Sequence, residues 1–141
     1  MLKIRNAAPE DVPAIREMIV ELARYEEAED EAVVTNEQLH HGFFRADANA
    51  KALVAELNGK VIGMAVWFFT FSTWQGRDGI YLEDLFVKPN YRGHKAGLQL
   101  MKRLAQLTLE HDCGRFEWSV LDWNTPAIDF YDAIGAVPQP G

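Results

Sequence analysis

The sequence predicts a mixed α/β fold of a single domain, with the element order β-α-α-β-β-β-α-β-α. Apolar residues recur at helical spacing around residues 15–22 and 100–107. Strand-forming residues dominate the segments on either side of Asn58-Gly59. Residues 80–97 have the composition of a strand, a basic glycine-flanked loop and a helix start. A meander followed by a β-α-β unit gives a mixed sheet with helices on its faces.

The N-terminal third is predicted to hold one strand and two helices. Leu2 to Arg5 alternate as a strand does. Pro9 and the acids after it are typical of a helix start, and we expect that helix to end near residues 24–26. Capping-box spacing in Thr35-Asn36-Glu37-Gln38 predicts a second helix through about Gly42.

The middle of the chain is predicted to be a three-stranded meander. Lys51 to Leu57 and Lys60 to Phe71 read as strands, and Asn58-Gly59 between them is the strongest short hairpin signal. A looser turn, Ser72 to Gly79, then leads into the strand Ile80 to Val87.

The last part is predicted to alternate helix and strand. A helix is expected from about Ala96 to His111, closed by Gly114 at C′, and a strand from Arg115 to Leu121. Asn124-Thr125-Pro126 starts a last helix that ends at Gly135.

Length and composition are those of one globular domain: 141 residues, 48% hydrophobic and 25% charged. The formal net charge of −7 argues against nucleic acid as a partner and mildly favours cationic small molecules. The longest apolar run, Met64 to Phe69, is too short to span a membrane. The one cysteine, Cys113, excludes an intramolecular disulfide and fits a cytoplasmic location. No metal is expected, since His40, His41 and His111 show no ligand spacing.

Residues 26–31 form an acidic run, Glu-Glu-Ala-Glu-Asp-Glu. Such a run is usually a solvated loop. The alternative is an acidic rim that attracts an amine substrate.

The turn between the predicted strand and helix reads Arg92-Gly93-His94-Lys95-Ala96-Gly97. Strand, turn and helix N-terminus present backbone N–H groups to a phosphate. The spacing is neither the dinucleotide fingerprint nor a Walker loop. On spacing alone, a plain glycine-rich turn is also possible.

This loop and further segments resemble the GNAT superfamily of N-acetyltransferases, and within it the diamine and polyamine (spermidine/spermine-type, thialysine) branch. The family's pyrophosphate loop reads Gln/Arg-x-x-Gly-x-Gly/Ala, which residues 92–97 match. The other matching segments are Leu22-Ala23-Arg24-Tyr25-Glu26, Tyr81-Leu82-Glu83-Asp84-Leu85-Phe86-Val87, Asn90-Tyr91-Arg92-Gly93 and Trp123-Asn124-Thr125-Pro126-Ala127-Ile128-Asp129-Phe130-Tyr131.

The resemblance implies acetyl-coenzyme A as the acetyl donor. Its pantetheine arm would pair with the backbone of Leu85 to Val87, and amides of Gly93 to Leu98 would hold the pyrophosphate. The residues expected to contact it are Leu85, Phe86, Val87, Arg92, Gly93, His94, Lys95, Ala96, Gly97, Leu98, Asn124, Ala127 and Tyr131.

The implied reaction requires an amine to lose a proton before it attacks a thioester. Glu83 and Asp84 are adjacent in a strand, so alternation puts them on opposite faces and only one can face the substrate. The resemblance favours Glu83 as the proton acceptor, and Asp84 would then anchor a loop or a turn. Tyr131 is the implied general acid; without the resemblance it reads as a core aromatic residue.

For the acceptor, the resemblance implies a small cationic amine, bound by aromatic faces and carboxylates. The expected substrate-binding residues are Tyr25, Glu26, Glu83, Trp118 and Ser119. No nucleic acid or membrane partner is expected, and the branch implies a homodimer.

Three features depart from the family pattern. Lys95 stands where the loop has its middle glycine, which predicts weakened binding of the donor. Ser72 stands where polyamine acetyltransferases tend to carry an aspartate, so a diamine or a thialysine-like amino acid becomes comparably plausible. The chain ends at Gly141, and we expect a single domain, residues 1–141, that is C-terminally short and lacks the family's usual last two strands.

Two other functions stay open on these grounds. One is a protein or peptide N-acetyltransferase of the same fold. The other is an inactive acyl-CoA-binding or dimerisation module.

Overall fold

A five-stranded mixed sheet organises the protein, whose computed structural model describes residues 1–118. Its order is β1-β2-β3-β4-β5: the first four strands are antiparallel neighbours, and β5 runs parallel to β4. The strands are β1 Leu2–Asn6, β2 Ala50–Leu57, β3 Lys60–Ser72, β4 Arg77–Val87 and β5 Arg115–Trp118. The mixed α/β class is thereby confirmed. The predicted last helix, and the predicted strand beyond residue 118, lie outside the described residues.

Three helices cover the two faces of this sheet. They are α1 Val12–Tyr25, α2 Asn36–Phe44 and α3 Ala96–Glu110, with short 3-10 turns at Pro9–Asp11, Glu29–Glu31 and Pro89–Tyr91. Buried side chains of α1 and α2, including Ile15 and Leu39, pack on what we call the α1 face of the sheet. Leu100 and Leu104 of α3 pack on the opposite side, the α3 face.

Local sequence signals predicted the hairpin and the second helix correctly. Asn58 and Gly59 have φ angles of 52° and 85°, as the tight turn between β2 and β3 requires. Thr35 Oγ1 accepts a hydrogen bond from the backbone N–H of Gln38 at 3.1 Å, and Gln38 Oε1 accepts one from the N–H of Thr35 at 2.9 Å. The capping box is therefore formed, and α2 continues to Phe44, two residues past the predicted end.

Two predicted boundaries are wrong. β4 begins at Arg77, not Ile80, because the turn before it is tight: Ser72 Oγ accepts the N–H of Gln75 at 3.2 Å. At the end of α3 the left-handed residue is Asp112, with φ 52°, rather than Gly114. Arg77 holds that turn, since its guanidinium donates to the carboxylate of Asp112 at 2.7 Å.

Gly79 is needed where β4 starts to pair with β5. An added Cβ there would lie 2.8 Å from Thr70 Oγ1 and 3.2 Å from the carbonyl oxygen of Arg115. We expect Gly79→Ala to lower the free energy of unfolding by about 1–3 kcal/mol, measured by urea denaturation. Gly42→Ala is the matched control: nothing lies within 4 Å of its Cβ, so helix propensity should make it neutral or stabilising. Equal stabilities of the two variants would contradict the close approach.

Candidate active site

One extra residue interrupts the pairing of β4 with β3. Val66 lies opposite Asp84, and the next residue of β3, Trp67, lies opposite Leu82. Glu83 therefore has no counterpart, which is the signature of a β-bulge. Bulges bend a strand and redirect its side chains, and they are common next to active sites.

The bulge puts both carboxylates of β4 on the same face. Leu82 before it and Leu85 after it both pack on the α3 face. Glu83 and Asp84 lie between them, and the partner of Asp84 is Val66, a core residue of the α1 face. The prediction that Glu83 and Asp84 point to opposite faces is thus wrong, because strict alternation fails at a bulge.

Asp84 is the half-buried member of a cluster of three carboxylates. Burial, and next the negative charges of Glu83 and Glu26, raise the pKa of the Asp84 carboxyl to about 6. Burial also raises the pKa of the Glu26 carboxyl. The cluster is therefore a partly desolvated site of negative charge, which favours either a proton or a cation.

Glu26 reaches this cluster from the C-terminal end of α1, where it follows Tyr25. Lys88 Nζ lies 3.3 Å from Glu17 Oε1, which links α1 to the end of β4. The ring of Tyr25 is 42% exposed. Three of the predicted acceptor residues, Glu26, Glu83 and Tyr25, are thus brought to one end of α1 beside β4.

One other predicted acceptor residue, Trp118, is not brought there. Trp118 is 2% exposed and packs on the α3 face, on the side of the sheet away from the carboxylates. Ser119 and three predicted donor contacts, Asn124, Ala127 and Tyr131, lie outside the described residues.

In the described part of the chain, the predicted pantetheine segment lies at an edge of β4 that has no strand partner. Within the described residues β5 pairs with β4 only from Gly79 to Leu82. The N–H of Lys88 donates to Ile62 on β3 at 2.8 Å. Since hydrogen-bonded positions alternate along an antiparallel pair, the backbone groups of Leu85 and Val87 point to the β5 side. The side chain of Phe86, which lies between Leu85 and Val87 in the segment, is buried on the α1 face. An extended arm could pair at this edge.

The predicted pyrophosphate loop is exposed and ends at the start of α3. Arg92 Nε donates to the carbonyl of Val87 at 3.2 Å, which folds the loop back onto the end of β4. Gly93 has a φ of 101°, and Arg92, Gly93, His94 and Lys95 are exposed. The first hydrogen bond of α3 joins Gln99 to the carbonyl of Lys95. The amides of Ala96, Gly97 and Leu98 precede it and are the N–H groups that a helix start offers to an anion.

Lys95 occupies the left-handed region at the N-cap of α3, with φ 63° and ψ 22°. A side chain there costs on the order of 1 kcal/mol relative to glycine. The position therefore needs the backbone conformation that the family's glycine adopts without strain.

The structure also brings together Phe68, Tyr81 and Glu117, three residues that the sequence did not mark as site residues. Phe68 lies opposite Tyr81, with the ring centroids 5.3 Å apart and an interplanar angle of 28°. On its other side Tyr81 lies opposite Glu117 of β5. Tyr81 opens the matching segment Tyr81 to Val87, but no local motif predicts that the three residues are close, because their proximity depends on the register of three strands.

Residues 1–118 carry neither a metal-binding cluster nor a membrane-spanning helix. Among these residues no group of three or more His, Cys, Asp or Glu side chains is placed to hold a metal ion. In the same range no helix is long and apolar enough to cross a membrane.

The model of the Acetyltransferase (GNAT) family matches residues 12–136. The chain belongs to the GNAT family of acetyltransferases.

Sequence relatives add detail. The thialysine N-epsilon-acetyltransferase of Sus scrofa is 38% identical over 141 residues, covering 94% of this chain and 82% of the relative. The Caenorhabditis elegans protein of the same name is 33% identical, covering 96% and 82%. The human spermidine/spermine N(1)-acetyltransferase-like protein 1 is 33% identical over 96% of this chain and 20% of its own length.

Solved structures share the fold. An integron cassette protein from the mobile metagenome of V. cholerae has a TM-score of 0.79 and 31% identity, covering 96% of this chain and 85% of that protein. An aminoglycoside acetyltransferase from an uncultured soil metagenomic sample has a TM-score of 0.82, covering 99% and 92%. At 22% identity the second shows the fold alone.

Removing the side chain of Lys95 should relieve the strain of its left-handed backbone and so stabilise the folded protein. We expect Lys95→Gly to raise the free energy of unfolding by about 0.5–1 kcal/mol, because glycine adopts positive φ without steric cost. Lys95→Ala removes the charge but keeps the Cβ, so it should show no such gain. Urea denaturation of both variants decides the point, and an alanine variant as stable as the glycine variant would refute the strain.

The burial of Asp84 predicts a pH-dependent cost to stability. Because folding raises this pKa, stability falls as pH rises from about 4 to about 6 and stays lower above that range. Asp84→Asn should therefore unfold with a free energy up to about 3 kcal/mol higher than wild type near pH 8, and the difference should shrink towards pH 4. Asp47→Asn, at a side chain 90% exposed, is the control and should show little change at either pH. A pH-independent effect of Asp84→Asn would contradict the assigned burial.

Proposed function

We propose that the protein transfers an acetyl group from acetyl-CoA to a primary amine of a small cationic acceptor, such as a diamine, a polyamine or a thialysine-like amino acid. The observation that carries this proposal is the carboxylate cluster at the end of α1, in which Glu26 and Asp84 are half-buried and Glu83 is exposed. A desolvated group of negative charges favours a compact cation. The names of the relatives, which refer to thialysine and to spermidine/spermine, support the same substrate class.

The donor side of the proposal rests on the edge of β4 and the start of α3. Within residues 1–118 the backbone of Leu85 and the N–H of Val87 have no strand partner, which suits an extended amide-containing arm. The amides of Ala96 to Leu98, at the positive end of a fifteen-residue helix, suit a pyrophosphate. The charge of Lys95 would partly offset the strain of its backbone. When bound, acetyl-CoA supplies the acetyl group as a thioester.

The carboxylates would remove the proton that makes the acceptor amine unreactive. Asp84, with a pKa of about 6, is mostly ionised at neutral pH and is more basic than an ordinary carboxylate. Glu83 is exposed on the same face, so it can pass the proton on to solvent. We therefore assign proton removal to the Glu83–Asp84 pair rather than to Glu83 alone. Proton donation to the leaving thiolate by Tyr131 remains part of the proposal, on the resemblance alone.

Two further parts of the proposal rest on the sequence. A homodimer rests on the resemblance to the diamine and polyamine branch. A cytoplasmic location rests on the presence of a single cysteine in the sequence.

The test is a steady-state assay with putrescine, spermidine and thialysine, run beside a binding titration of acetyl-CoA. We expect turnover of at least one amine, with kcat/KM rising through about pH 6 as Asp84 ionises. Asp84→Asn should lack the rise in kcat/KM near pH 6. Its kcat/KM should also be about 10²-fold lower than that of wild type, as expected for the loss of a general base. Asp47→Asn is the matched control and should behave as wild type.

Other outcomes identify the competing functions. Binding of acetyl-CoA without turnover of any amine would indicate a binding module. Turnover of peptides alone would indicate a protein acetyltransferase. An unchanged pH profile in Asp84→Asn would refute the role of Asp84 while leaving the reaction in place.

A further inference from the structure

We propose that Phe68, Tyr81 and Glu117 form a second subsite, which binds a distal ammonium group of the acceptor while the reacting amine lies at the Glu83–Asp84 pair. This inference rests on the proposed function and adds to it the residues that select an acceptor with two charges.

The three residues form one row across three adjacent strands. Phe68 of β3 lies opposite Tyr81 of β4, and Tyr81 lies opposite Glu117 of β5. Their neighbours in the chain, Trp67, Leu82 and Trp118, pack on the α3 face. By strand alternation the row itself lies on the α1 face, which is also the face of Glu83 and Asp84.

The aromatic pair offers a surface for a cation. Both rings are half-buried and stacked at 5.3 Å, so their positions are restrained by each other. An ammonium group within about 6 Å of an aromatic ring centroid is attracted to the ring face, and partial desolvation strengthens this attraction. The surface is thus suited to a charged group with an alkyl chain.

Glu117 supplies the opposite charge at the end of the row. Its side chain is 15% exposed, and its ion-pair partner within the described residues is Arg115, with Nε 3.5 Å from Oε1. That separation is longer than a good hydrogen bond, and the Arg115 side chain is 45% exposed. The carboxylate therefore retains most of its capacity to accept hydrogen bonds from an ammonium group.

The distance along β4 fixes the kind of acceptor. Tyr81 precedes Asp84 by three residues, so the two subsites are separated by about 10 Å at the backbone, less the shortening at the bulge. Side chains on a strand can lean along its direction, so the charged ends of the two subsites can lie closer together than their backbones. A diamine or a diamino acid can engage both subsites at once, whereas a monoamine can engage only one.

The experiment compares putrescine with butylamine, a monoamine of equal chain length. We expect wild type to prefer putrescine in kcat/KM. Glu117→Gln should lower kcat/KM for putrescine about tenfold more than for butylamine, mainly through KM, because about 1.4 kcal/mol of ion pairing is lost. Glu117→Asp keeps the charge and should recover most of the preference. Glu110→Gln, on the exposed end of α3, is the charge-matched control.

Variants of Tyr81 test the subsite independently of Glu117. Tyr81→Leu should reduce the preference for putrescine, and Tyr81→Phe, which keeps the ring, should restore it. A wild type that acetylates both amines equally, or variants that lower both activities to the same extent, would overturn the subsite and leave the proposed function standing. A wild type that acetylates neither amine would overturn the subsite, and if it also fails to turn over spermidine and thialysine, the proposed function falls with it.

Discussion

The candidate site depends on one extra residue in β4. Without the bulge at Glu83, alternation would send Glu83 and Asp84 to opposite faces of the sheet, and one carboxylate would be buried against α3. With it, Leu82 and Leu85 both stay in the core of the α3 face while the two acids share the α1 face. The bulge thus allows both leucines to pack in the core while both carboxylates remain on the opposite face of the sheet.

In the proposed reaction the same strand would serve two chemically different purposes. Its α1 face carries the carboxylates and Tyr81, where a cation would be bound. Beyond the bulge, its edge towards β5 is without a strand partner in the described part of the chain, and the loop after it leads to the start of α3. Donor and acceptor would therefore approach β4 from different directions and meet near the bulge. The strain at Lys95 and the burial of Asp84 both reduce stability, as is common where a site requires an unfavourable local arrangement.

The sequence predicted whatever depends on near neighbours. The Asn58-Gly59 turn and the capping box of Thr35 need only four consecutive residues, and both are present. The bulge left one weak signal, the odd spacing of the core residues Leu82 and Leu85, because a regular strand would bring them to opposite faces. No comparable signal in the sequence indicates the position of Glu117, because its approach to Tyr81 depends on the parallel register of β5. Long-range register is a property of packing, and no short motif encodes it.

The ionisation of Asp84 tests the central claim most directly, because it reports the surroundings that the bulge creates. Carbon-13 NMR of the side-chain carboxyls, titrated with pH and assigned by the loss of a signal in Asp84→Asn, measures it in the folded protein without substrate. The account predicts that Asp84 titrates at about pH 6. A midpoint near the ordinary aspartate pKa of about 3.9 would show a solvated carboxylate, and would contradict the placement of Asp84 in a half-buried acidic cluster.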